Sequence, residues 1–141
     1  MRVVLVGMNN PRLDLFPVPP NSTGGRLARL AGLSWTRYLK TFDRVNVLRS
    51  REWNDAAARF VGPFLARELT ERGAPFVCVG DRTRRALGLP GLDPATWYVT
   101  EETTWSWIPH PSGRNRWYND DENRRTVERF FEQTETQSRE T

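Results

Sequence analysis

The run Arg2-Val3-Val4-Leu5-Val6-Gly7 constrains the fold more tightly than any other stretch of the chain. Successive side chains of a strand point to opposite faces, so four apolar residues in a row leave neither face polar. Such a strand must be covered on both sides. Three more segments read as strands: Arg44 to Leu48, Pro75 to Gly80, and Thr104 to Ile108, the last rich in aromatic and β-branched residues. Trp105 and Trp107 alternate along it, placing both on one side as core.

Helical patterns separate these strands. Ser22 or Thr23 can cap a helix ending near Ala31, with Gly32 as its stop, and Ser34 can open a short one through Lys40. Asn54 can cap a longer helix to about Arg72, which Gly62-Pro63 should kink or split. Asp81 can cap a short helix to Leu87, and Asn119 or Asp120 the last one. Strands alternating with helices at this spacing predict a parallel sheet with helices on both faces. At 141 residues the chain makes one domain, over 1–133, followed by a polar tail over 134–141 expected to fray.

Composition narrows the function. The longest apolar runs are far too short to span a membrane, and no secretory signal pattern is visible, so no membrane partner is expected. A single cysteine, Cys78, cannot form an internal disulfide and fits a reducing, cytoplasmic setting. With only His110 beside it, a zinc site cannot be built, and no metal or organic cofactor is expected. The 21 basic and 17 acidic residues leave +4, and every basic residue except Lys40 is arginine. Arginine grips phosphate bidentately and stacks on bases, which makes nucleic acid a natural partner, although a GC-rich coding sequence also enriches arginine.

In open parallel sheets ligands bind beyond the carboxyl ends of the strands. There stand Gly7-Met8-Asn9-Asn10-Pro11 after the first strand, Asn46 on the second, Gly80-Asp81-Arg82-Thr83-Arg84-Arg85 after the third, and Pro109-His110-Pro111-Ser112-Gly113-Arg114-Asn115-Arg116 after the fourth. No phosphate loop, dinucleotide fingerprint or nucleophile elbow occurs. One histidine, several asparagines and arginine-rich loops remain.

Gly7-Met8-Asn9-Asn10-Pro11 paired with His110-Pro111-Ser112-Gly113-Arg114-Asn115 resembles the two signature motifs of the uracil-DNA glycosylase superfamily, most closely its single-strand-selective monofunctional branch. The resemblance spans roughly Arg2 to Phe131. It implies a three-layer α/β/α sandwich around a four-stranded parallel sheet. It also implies a monomer, DNA as partner, and base excision in DNA repair: a flipped uracil or modified pyrimidine is released by hydrolysis of its N-glycosidic bond.

The implied roles suit the residue types. Negative charge develops on the departing base, and His110 can donate a hydrogen bond to it. Asn9 matches the family's water-positioning asparagine, but here Asn10 follows where the relatives have proline, so either can hold the water, and Asp14 lies near enough in sequence to supply a carboxylate. Asn46 matches the asparagine that reads the pyrimidine edge, and Phe16 is a candidate for stacking on the base, with Gly7 and Met8 completing the pocket. Arg114 and Asn115 match wedge positions. Ser112, Gly113, Arg116, Arg82 and Arg84 are further candidates for DNA contact; the basic cluster at 82–85 is otherwise a solvated face. Two other readings stay open. The altered first motif suits excision of a bulky modified base from phage DNA as a defence, and the absence of an acid within it suits a non-catalytic nucleic-acid-binding module.

Overall fold

The computed structural model describes residues 2–9, 15–17, 20–50, 52–112 and 114–140, with the backbone only over 136–140. The apolar run at the start forms β1 (Val3–Asn9), an inner strand of the sheet. Helices α1 (Thr23–Leu30) and α2 (Trp35–Thr41) lead to β2 (Phe42–Leu48). Then α3 (Asp55–Glu71), β3 (Phe76–Val79), α4 (Asp81–Ala86), β4 (Tyr98–Val99) and β5 (Thr104–Ile108) follow, and a 3₁₀ turn over Arg116–Asn119 leads into α5 (Asp121–Glu140). The sheet order is β2-β1-β3-β5-β4; β1, β2, β3 and β5 run parallel, and β4 is antiparallel to β5. The protein is therefore an α/β fold built on a mostly parallel sheet.

The double-sided burial expected of β1 is realised residue by residue. Val3 and Leu5 enter one core cluster with Leu27 of α1, Tyr38 of α2, and Val127 and Phe131 of α5. Val4 and Val6 enter a second cluster with Ala58 and Leu69 of α3 and Ala86 and Leu87 beside α4. Each buried side chain of this kind contributes roughly 1.5–3 kcal/mol, so β1 anchors both layers of packing. From β1 the chain moves outward to β2, then crosses back to β3 on the other side of β1. That reversal leaves a crevice beyond the carboxyl ends of β1 and β3, where a parallel sheet takes its ligands.

The capping residues behave as their chemistry predicts. Ser22 accepts a hydrogen bond from the Gly25 amide, Ser34 from Arg37 and Asn54 from Ala57, while Asp120 accepts from Glu122 and Asn123 at the start of α5. Gly32 takes the left-handed conformation that ends α1. Trp105 and Trp107 both pack with the second cluster, as their alternation predicts.

Four expectations need correcting. Gly62-Pro63 does not split α3, which runs unbroken from Asp55 to Glu71. A proline forfeits one helical hydrogen bond, but this one follows a glycine whose backbone lies directly against the Ala86 carbonyl, and that close packing on α4 keeps the helix in place. The sheet has five strands rather than four, because Tyr98 and Val99 pair with Trp105 and Thr104 as an antiparallel edge. The backbone expected to fray beyond residue 133 continues as helix to Glu140, and Thr134 is fully buried, its hydroxyl donating to the Phe130 carbonyl. Asp81 does not cap its helix; Gly80 holds that position, and the Asp81 carboxylate faces Arg84 and Arg85 instead.

Candidate active site

Three loops meet at the carboxyl edge of the sheet around a cavity of about 780 Å³. Met8 reaches it from the end of β1, Asp81, Arg82 and Arg85 from the loop and helix after β3, and His110, Ser112, Arg114 and Asn115 from the segment after β5. Trp107 and Trp117 supply aromatic wall. Residues from distant parts of the sequence are thus assembled because their strands are neighbours in the sheet.

The His110 segment is held by side chains that bond its backbone carbonyls. The Asn115 amide nitrogen donates to the His110 carbonyl at 2.8 Å, while the Asn115 carboxamide oxygen accepts from the Trp117 amide at 3.0 Å. The Tyr118 hydroxyl donates to the Pro109 carbonyl at 2.6 Å. Burial pushes the Tyr118 phenol well up from its usual pKa, so it stays protonated and remains a donor. Gly80 completes the brace: its amide donates to the Ile108 carbonyl at 2.7 Å, and its φ of +101° is a conformation that side chains disfavour. The His110 ring carbon Cδ2 lies 3.5 Å from where a Cβ on Gly80 would stand, an ordinary van der Waals contact, so it is the positive φ rather than space that calls for glycine here.

The β1–β2 side is organised differently. Gly7 pairs in register with Asn46, and a Cβ at Gly7 would collide with the Asn46 carboxamide oxygen. Glycine here is what lets the carboxamide lie across β1. Leu15 packs over the same point, its Cγ and Cδ1 each 3.0 Å from the same Cβ position. The Asn46 oxygen is consequently buried, and among the described residues it has no hydrogen-bond partner. A buried acceptor left unmatched costs about 1–3 kcal/mol. The Leu15 segment is fixed in turn: Tyr38 donates to the Leu15 carbonyl at 2.9 Å, Ser22 donates to the Phe16 carbonyl at 2.8 Å, and Gly24 leaves room for both carbonyls against α1.

The expected site residues therefore divide. Met8, Arg82, His110, Ser112, Arg114 and Asn115 line one cavity. Asn46 and Gly7 do not line it; they pair across β1 and β2, with Leu15 packed against the same point. Asn9 is half-buried at the end of β1 and donates to the Ser50 carbonyl at 3.4 Å. Phe16 is half-buried on the Leu15 segment, and Arg116 is exposed on the 3₁₀ turn; neither lines the cavity. Asn10, Pro11, Asp14 and Gly113 lie outside the described residues.

Arg84 is a correction. It is only 9% exposed, donates to Asp81 and to the Leu89 carbonyl, and lies 5.4 Å from the centre of the Trp107 ring. Its guanidinium is committed to the fold and has no free edge for phosphate. Asn115 is a milder case, since the carboxamide expected on DNA already braces the His110 loop at both ends. Tyr118 and Leu15 were missed, and Gly80 was read only as part of the loop after the third strand. The one legible signal was a glycine directly after a buried strand.

The electrostatics favour an anion. Burial raises the Asp81 carboxyl, but hydrogen bonds and charge from Arg84 and Arg85 outweigh it and hold the group below the usual carboxylate range. Asp81 is thus ionised and already paired, leaving Arg82 and Arg114 without a carboxylate partner among the described residues at this cavity. Cys78 is fully buried in the second cluster; burial drives its thiol strongly upward, which outweighs the opposing charge of Arg84 and leaves it inert. Among the described residues no cluster of histidine, cysteine and carboxylates suits a metal ion, and no helix is long and apolar enough to cross a membrane. Neither the family models nor the curated proteins compared with this chain match it.

Proposed function

We propose that this protein is a monofunctional DNA glycosylase, hydrolysing the N-glycosidic bond of a flipped pyrimidine, with uracil or a 5-substituted uracil as its base. The observation that carries the reading is the convergence of Met8 from β1 with His110, Ser112 and Arg114 from the β5 loop on one cationic, aromatic-walled cavity. A four-stranded parallel core inside a three-layer α/β/α sandwich belongs to the same reading, with β4 as an added edge.

In this mechanism the bond between base and sugar breaks first, leaving cationic character on the sugar and negative charge on the base. A neutral His110 imidazole donates an N–H to the base oxygen as charge develops there, without giving up the proton. One such donor lowers a barrier by about 2.7–4 kcal/mol. Asn9 or Asn10 orients the water that then attacks the sugar. The Asn46 carboxamide hydrogen-bonds the edge of the base, which gives its buried oxygen a partner that no described residue supplies. Base extraction costs a few kcal/mol, offset by Arg82 and Arg114 on flanking phosphates and by aromatic stacking. For a base to reach Asn46, Leu15 must move aside.

The same Leu15 contact favours a second reading, a nucleic-acid-binding module that performs no chemistry, because it closes the slot at Asn46. Incubation with labelled oligonucleotides, each holding one candidate base, followed by alkaline cleavage of abasic sites, separates the two. Breaks at uracil or at another modified pyrimidine are the expected result. Binding without breaks at any base supports the second reading and overturns the first.

A further inference from the structure

We propose a second nucleotide subsite between α3 and α4, where Trp53 stacks on the base of a nucleotide neighbouring the one in the central cavity and Arg59 and Arg82 hold its phosphate. The inference deepens the proposed function and rests on its premise that the partner is nucleic acid. A separate cavity of about 250 Å³ lies here, lined among others by Trp53, Asp55, Arg59, Arg82 and Arg85. It is not an isolated dimple, because Arg82 and Arg85 also line the cavity that holds His110. The two cavities lie on either side of Arg82 and Arg85, so a strand seated in one reaches the other by crossing these two guanidiniums.

The chemistry of the lining selects the occupant. Trp53 is half-buried against the second core cluster, and its indole nitrogen donates to the Asp55 carboxylate at 2.6 Å, which fixes the ring. That hydrogen bond also occupies the one acidic group of the cavity. Arg85 is paired with Asp81, whereas Arg59 and Arg82 have no carboxylate partner among the described residues. A fixed indole beside two uncommitted guanidiniums is the pairing that holds single-stranded nucleic acid: rings stack on bases and cations follow phosphates. The volume sits just below the usual range for small-molecule sites, about 300–1,000 Å³, and so admits one ring system rather than an extended cofactor.

The test uses the full chain, fluorescence anisotropy, and two dye-labelled single-stranded probes: oligothymidylate, and an oligomer of the same length with the bases removed. Wild-type protein should prefer oligothymidylate. Trp53→Leu should weaken oligothymidylate binding at least about fivefold, following the usual loss of one base stack, and leave the base-free oligomer unaffected. Trp53→Phe, which keeps a ring, should restore most of the loss. Arg59→Gln should lower the slope of log affinity against log salt by about 0.7 for both probes, as expected for one lost phosphate contact on a single strand. Circular dichroism confirms folding, and if Trp53→Leu fails to fold, Trp53→Phe and Arg59→Gln decide the matter. Wild-type binding that Trp53→Leu and Arg59→Gln both leave unchanged overturns the subsite alone. Failure of the wild type to bind either probe overturns the nucleic-acid reading and the subsite with it.

Discussion

The two halves of the central site are built to opposite specifications. On the β5 side, His110 stands at the wall of an open cavity, and Asn115, Tyr118 and Gly80 hold its backbone in place. On the β1–β2 side, the Asn46 carboxamide oxygen is buried with no partner among the described residues, and Leu15 packs beside it over Gly7. One half is preorganised and accessible, the other is complete but covered. Preorganisation serves a group that must stabilise charge at the moment of reaction. In the glycosylase reading, Leu15 makes base entry at Asn46 conditional on moving one side chain.

Leu15→Ala attacks the comparison most forcefully. Leu15 is buried in the first core cluster, so its truncation should cost about 2–5 kcal/mol, read as a lowered urea midpoint. If Leu15 is a cover, base release by the folded fraction should hold or rise; if it falls, Leu15 is part of the pocket wall. His110→Ala should slow base release ~100-fold or more at unchanged stability, and full activity would remove the imidazole from the reaction. Tyr118→Phe tests the brace alone. Losing its hydrogen bond to Pro109 should cost about 1 kcal/mol of stability and should slow base release without altering affinity for DNA. The smallest effect is expected at Asp81. Its carboxyl is held below the usual range, so its pairing stabilises the fold above the ordinary carboxylate pKa and is lost as acidification passes through the lowered value. Asp81 itself is about half exposed, though Arg84 is buried, so solvent screening keeps the contribution to about 1 kcal/mol. Asp81→Asn should therefore lower the urea midpoint slightly at pH 7, and the difference from wild type should shrink as acidification passes through the lowered carboxyl pKa.

Much of this architecture was legible before any coordinates. A strand with no polar face forces helices on both sides of a sheet, and β1 obeys residue by residue. What escaped depended on contacts rather than on local pattern. Two residues are too few for a periodic signal, so β4 was invisible until Trp105 gave it a partner. Pro63 looked like a helix break because the Ala86 carbonyl against Gly62 could not be foreseen. Within the site, His110 and its loop were legible because a histidine in a turn-rich segment after a strand has few structural explanations. The direction of Arg84 was not, since an arginine i+3 from an aspartate on a short helix can face inward or outward equally well. Leu15 was unreadable for a different reason: a single leucine beyond a loop carries no mark of what it covers.

A crystal structure of the protein with a single-stranded oligonucleotide carrying an uncleavable 2′-fluoro pyrimidine nucleotide tests the central claim most directly. The account predicts one unstacked base between Asn46 and His110, the Asn46 oxygen hydrogen-bonded to its edge, and Leu15 rotated away from Gly7. An oligonucleotide bound across the arginines with every base outside the cleft, and Leu15 still seated over Asn46, would contradict it.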